Sequence, residues 1–184
     1  FPKVQSSETT RGRLKKERAS RVGLEEIEGA AGAADSAASE RGVGLLRPGK
    51  VMVSVGTSGT VVAATEDGEH DPTGRLHLFS HAAPGQRYYM GVMLAAASAV
   101  DFFTDKMAPA GRNWDELGRQ AGAVPPGAGG LLFLPYLSGE RTPLRDPEAR
   151  GVLCGLSHKS GWPEILRAAL DVVRFGLADN FEPV

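Results

Sequence analysis

Three short stretches of the chain carry residue types that could do chemistry. The first is Gly56-Thr57-Ser58-Gly59, set between Val51-Met52-Val53-Ser54-Val55 and Thr60-Val61-Val62-Ala63-Ala64. Glycines at both ends let backbone amides turn toward one point, and two adjacent hydroxyls add donors. That combination suits phosphate oxygens, although the same residues also make a plain tight hairpin. The second is Asp35, which has no Lys or Arg within five positions and lies among Ala, Gly and Ser. Such a carboxylate can act as a general base toward a hydroxyl once a substrate excludes water, and Asp before Ser36-Ala37-Ala38 is equally a helix N-cap. The third is Leu134-Pro135-Tyr136-Leu137-Ser138-Gly139-Glu140-Arg141-Thr142-Pro143. Charged and turn residues directly after an apolar strand are where functional loops tend to lie; the plainer reading is a solvated connector with an inconsequential Glu140–Arg141 pair.

Other chemistries find no purchase. There is no GxxxxGK[ST] loop, GxGxxG, HExxH or GxSxG, and His70, His77, His81 and His158 lack metal-ligand spacing. A single cysteine, Cys154, forbids an internal disulfide and any CxxC site. Its neighbours Leu153 and Gly155 suggest a buried, inert thiol.

The elements that must position these residues read as α/β. Leu14–Val22 reads as a helix stopped by Gly23, Val51–Val55 and Thr60–Ala64 as strands, and Arg75–Phe79 with Arg87–Met90 as a pair across Pro84-Gly85. Gly91–Met107 is mostly helix-compatible. Asn113 should cap a helix over Trp114–Gln120. Leu131–Leu134 reads as a buried strand, residues 135–150 as a long polar loop, and Pro163 as the start of a final helix running to Leu177.

The chain has 184 residues, with 21 Lys+Arg against 22 Asp+Glu, so its net charge of -1 excludes a strongly basic nucleic-acid binder and an acidic tail. Gly (24) and Pro (12) together make roughly a fifth of the chain, a turn-rich but folded composition. The longest apolar stretch, Gly91 to Val100, is half of the roughly 20 residues that a membrane span needs. Phe1-Pro2 opens the chain without an initiator Met and without a signal peptide's basic and apolar regions, so a processed chain or a piece of a longer one is expected.

At this point the order of segments resembles the FGGY carbohydrate kinases. Gly151, Leu153, Gly155, Leu156, Glu164-Ile165, Ala168-Ala169-Leu170 and Asp171 fit that family's C-terminal signature. Within the family, His81-Ala82-Ala83-Pro84 with Met90-Gly91-Val92-Met93-Leu94, and Phe133 to Pro143, point to the xylulokinase group. The resemblance runs from about Gly23 to the end. It implies a ribonuclease H-like fold, as in actin-like ATPases, and ATP-dependent, Mg²⁺-assisted phosphorylation of a ketose, with D-xylulose the favoured sugar. It gives Asp35 the role of catalytic base, Ser36 a sugar contact, and Gly56, Thr57 and Ser58 contacts to ATP phosphates. Its other implications are a cytoplasmic location, sugar and ATP as partners, and no nucleic acid or membrane. The oligomeric state is left open to a homo-oligomer. A non-catalytic relative that kept the fold is the alternative.

Departures cluster near the proposed base. Gly-Asp has become Ala34-Asp35, which would be unwelcome if that position needed a left-handed backbone. Glu40-Arg41 stand where the family has small or apolar residues, Glu26-Ile27-Glu28 replace an apolar strand, and Leu144 replaces a polar residue. The family's Asp-x-Gly-Thr and Gly-Gly-Gly segments are not in the chain. The expected organisation is therefore the end of a first domain over 1–46 and the front of a second over 47–184, a piece without activity by itself.

Overall fold

A computed structural model describes residues 3–24, 27–108, 111 and 113–181. The Glu26 substitution lies outside these residues, whereas Ile27 and Glu28 are described. The chain forms two compact units: Phe1–Met52, Ala63–Glu69 and Leu78–Tyr89 make one; Val53–Val62, His70–His77 and Met90–Val184 make the other.

The first unit opens with β1 (Thr10–Arg13), α1 (Lys16–Val22), β2 (Glu28–Ala30) and α2 (Asp35–Gly42). Strands β1 and β2 pair antiparallel, Thr10 opposite Ala30 and Arg13 opposite Glu28. Both strands are exposed throughout. They carry no apolar alternation, so neither is legible as a strand in the sequence. Helix α1 ends as expected at Gly23, in the left-handed conformation with its N–H donated to the Ala19 carbonyl.

Four strands follow: β3 (Val51–Val55), β4 (Gly59–Thr65), β5 (His77–Ser80) and β6 (Arg87–Met93), in sheet order β3-β4-β6-β5. Each begins in one unit and ends in the other. Interior strand β4 is buried at Gly59, Val61, Val62 and Ala64, which accounts for its nearly continuous apolar run. Edge strand β3 exposes Val51, Val53 and Val55.

The second unit is built around α5 (Trp162–Phe181). Helices α3 (Ala97–Lys106) and α4 (Trp114–Ala123), a short 3-10 turn, and the antiparallel pair β7 (Leu132–Leu134) and β8 (Val152–Cys154) complete it. Its core joins Ala95, Ala99 and Phe103 to Leu131, Phe133, Ala168 and Ala169. Alanines on α3 and α5 let the two helices approach closely, while the Phe103 and Phe133 rings meet edge-on at 4.7 Å. A second cluster packs Leu117 and Ala121 of α4 on Leu166 of α5.

Two expectations are corrected. Gly91–Met107 is not one helix: Gly91–Met93 finish β6, and α3 begins only at Ala97. An apolar run supports strand or helix equally, and its ends do not show where one gives way to the other. Cys154 is exposed, not buried. It lies on β8, where alternate side chains face opposite ways; Leu153 packs against the core, and Val152 and Cys154 turn out.

Candidate active site

Gly56, Thr57 and Ser58 form the tip of the β3–β4 hairpin. The Gly56 N–H donates to the Ser58 carbonyl at 2.9 Å, closing the turn. The tip is anchored through its carbonyls. Thr57 O accepts from the Ala96 N–H at 3.0 Å and the Ser98 hydroxyl at 2.9 Å, and Gly56 O from the Ala97 N–H at 2.9 Å. These oxygens would repel a phosphate, and they are held by the first turn of α3, whose orphan amides they satisfy. The start of α3 is therefore not an open anion site. Thr57 and Ser58 remain exposed. A tip with its carbonyls tied back and two hydroxyls outward suits phosphate oxygens.

Asp35 and Ser36 belong to the first unit and lie together at the start of α2. The cap residue of α2 is Ala34, not Asp35, so Asp35 does not serve as the N-cap. Its Oδ1 instead accepts from the Ser36 N–H at 2.7 Å, with the Ser36 hydroxyl at 3.5 Å. Asp35 is exposed. Ala34 has φ -61° and ψ 153°, an ordinary extended backbone. The left-handed residue is Gly32, at φ +78°, so Ala at 34 brings no backbone strain.

Beneath Asp35, α2 is seated on a polar cluster that sequence reasoning missed. Glu40 is fully buried. Neither carboxylate oxygen has a hydrogen-bond partner among the described residues, and Oε2 lies 3.8 Å from His81 Nε2. His81 Nδ1 accepts from the Ala83 N–H at 2.8 Å, which places the ring proton on Nε2, toward Glu40. Burial pushes the Glu40 carboxyl up to about 7. It also holds His81 below its ordinary value, aided by the charge of Arg41 and opposed by the Leu45 carbonyl. Tyr88 is pushed up to about 12 by burial and by the charges of Glu40 and Asp35. Arg41 faces outward and pairs with Glu8 at 3.1 Å. The sequence marks Glu40 and Arg41 as out of pattern, but nothing in it pairs Glu40 with His81, 41 residues on.

The loop after β7 is not a solvated connector. Glu140 and Thr142 are buried at 5% and 2% exposure. Glu140 Oε1 accepts from the Leu94 N–H at 2.9 Å and the Arg141 N–H at 2.7 Å. Thr142 Oγ1 accepts from the Val92 N–H at 3.0 Å and donates to the Arg75 carbonyl at 2.7 Å. Two buried side chains thus fasten the loop to β6 and its surroundings. Among the described residues, no group of three His, Cys, Asp or Glu could hold a metal ion, and no helix is long and apolar enough to cross a membrane.

Known structures define the class first. A xyloylose kinase from Brucella ovis matches with a TM-score of 0.84 and 39% identity, over 96% of this chain and 36% of that one. A ligand-bound xylulose kinase from Lactobacillus acidophilus matches with a TM-score of 0.89 and 26% identity, over 98% and 37%. The fold is the ribonuclease H-like fold of sugar kinases. The C-terminal domain of the FGGY family of carbohydrate kinases matches residues 51–183, and the chain belongs to that family. The xylulose kinase of Lactococcus lactis subsp. lactis is 39% identical over 181 residues, 98% of this chain and 36% of that protein. The chain spans about a third of the length of such relatives.

Proposed function

We propose that the protein of which this chain is part transfers the γ-phosphoryl group of ATP to a hydroxyl of a ketose, D-xylulose giving D-xylulose 5-phosphate. The reading rests on one observation above others: an exposed Thr57-Ser58 tip whose carbonyls are tied to α3, in a chain similar along almost its whole length to xylulose kinases. Phosphoryl transfer asks the protein mainly for positioning and charge stabilisation. Gly56, Thr57 and Ser58 bind nucleotide phosphate, Asp35 accepts the proton of the attacking hydroxyl, and Ser36 touches the sugar. Mg²⁺ would neutralise phosphate charge. Such an ion is held largely by the nucleotide's phosphates and water. Residues 1–46 close a first domain and 47–184 open a second. The chain alone, with only part of the cleft, is inactive, and the whole protein works in the cytoplasm.

The deciding variant is Asp35→Asn in the full-length protein. Loss of a positioned general base should lower turnover by about two to four orders of magnitude. Because Asp35 is not the cap of α2, the melting temperature should stay put. Full turnover in the variant removes the base from Asp35.

A further inference from the structure

The second unit contains a cavity that the proposed reaction does not use. It has a volume of about 250 Å³ and is lined by Gly74, Arg75, His77, Glu140, Arg141 and Arg145 among others. Two of its arginines are brought side by side by backbone geometry. Glu140 and Asp146 exchange both backbone hydrogen bonds, at 2.8 and 3.0 Å, and the Arg145 N–H returns to the Arg141 carbonyl at 2.6 Å. The chain thus makes a single closed turn with a guanidinium at each side. Arg145 sits in the left-handed region, at φ +55°, where a long side chain is seldom kept without a reason.

Each guanidinium is oriented by contacts that, among the described residues, leave most of its five donors uncommitted. Arg141 Nη2 donates to His77 Nε2 at 2.6 Å, Arg145 Nη1 to the Thr73 carbonyl at 2.6 Å, and Arg75 Nε to Thr73 Oγ1 at 2.9 Å. Gly74 makes the space: a Cβ there would meet Arg145 Nη1 at 3.0 Å. The nearby acids are already engaged. Asp71 accepts from the Thr73 hydroxyl and the N–H groups of Thr73, Arg75 and Leu76, with Arg75 Nε at 3.9 Å. Glu140 Oε1 takes two backbone amides. His77 is held below its ordinary value by burial and by the charges of Arg141 and Arg145, so both cations act on one point.

We propose that this cavity binds the phosphoryl group of a small phosphate ester, with Arg75, Arg141 and Arg145 as its donors. Guanidinium forks match phosphate oxygens in geometry as well as charge. The loop is fixed before any ligand arrives, because Glu140 and Thr142 anchor it. The site requires neither Asp35 nor the hairpin tip, so it stands apart from the reaction proposed above.

The test follows the His77 imidazole resonances of the full chain by NMR, at constant ionic strength, as inorganic phosphate or glycerol 3-phosphate is added. Binding should raise the His77 pKa and shift its resonances saturably in the millimolar range or below. Tighter binding of glycerol 3-phosphate identifies an ester site, and tighter inorganic phosphate would overturn the ester in favour of the free ion. Arg145→Gly removes one guanidinium and suits the left-handed backbone. It should weaken binding on the order of tenfold or more without lowering the melting temperature. Arg141→Gln gives the same readout from a residue with no backbone strain. No saturable His77 shift with either probe, or unchanged affinity in both folded variants, overturns the proposal.

Discussion

Among the described residues each unit buries one glutamate, and the two are accommodated in opposite ways. Glu140, 5% exposed, gives one oxygen to two backbone amides. Burial raises its pKa, and the Arg141 and Leu94 N–H groups pull it back. Glu40, 0% exposed, has no such donors, and burial alone sets its value near 7. A carboxylate fed by amides fixes a loop in place. One without them is tolerated chiefly by taking up a proton. The loop that carries the three-arginine cavity therefore rests on a satisfied acid, and the helix that carries Asp35 rests on an unsatisfied one.

The contrast is broken most sharply by truncation. Glu140→Ala removes the acceptor of the part-buried Leu94 and Arg141 N–H groups, so stability should fall by roughly 1–3 kcal/mol in urea denaturation. Glu140→Gln retains an acceptor and should lose far less. Wild-type stability in the Ala variant would mean that the two amides find another acceptor.

Glu40 should respond with the opposite sign. Its folded pKa, about 7, lies above the ordinary 4.5, so the folded chain holds the proton more tightly than the unfolded one. Stability from this group is complete below pH 4.5, falls as pH rises to 7, and is then lower by about 3 kcal/mol. Glu40→Met fills similar space without a charge. It should stabilise the chain at pH 8 by up to that amount and have little effect at pH 4.5. The variant keeps the falling slope of Glu140, whose pKa is also raised, and the rising slopes of His77 and His81, whose lowered values make stability rise with pH up to 6.5. Melting curves from pH 4 to 8 decide it, and equal pH slopes in both proteins would show that Glu40 does not titrate as its burial requires.

What the sequence made legible follows the same division. Local signals were sufficient where a residue acts on its neighbours: Asn113 caps α4, Gly23 ends α1, and Gly56–Gly59 turns between two apolar runs. The FGGY signature was legible because it is one continuous local stretch, from Gly151 beside β8 to Asp171 in α5. Pairings at long range were not. Strand β8 is three residues long and defined by β7, twenty positions earlier. The Glu40–His81 contact and the meeting of Arg75 with Arg141 and Arg145 depend on folding alone. Glu140 was read as a surface partner of the Arg141 side chain, because sequence does not tell a carboxylate that faces a guanidinium from one that faces backbone amides.

The smallest effect compares the starts of two helices. Helix α4 has Asn113, whose Oδ1 accepts from the Asp115 N–H at 2.9 Å and the Glu116 N–H at 3.5 Å. Helix α2 has Ala34, which offers no side-chain acceptor. The Ala34 backbone is already that of a cap: it is extended, and its carbonyl accepts the first helical bond from Ala38 at 2.9 Å. Asp35 holds the Ser36 N–H, which leaves the Ala37 N–H for a new cap. Asn113→Ala should therefore cost about 1 kcal/mol, and Ala34→Asn should gain about as much. For a chain of this size, each is a shift of roughly 2–4 °C in melting temperature. Ala34→Gly should bring no gain, because φ at 34 is negative and there is no left-handed strain to relieve. A rise with Gly but not with Asn would mean that the Ala34 side chain itself is the obstacle, and the family's glycine at this position would then matter for closeness of approach, not for capping.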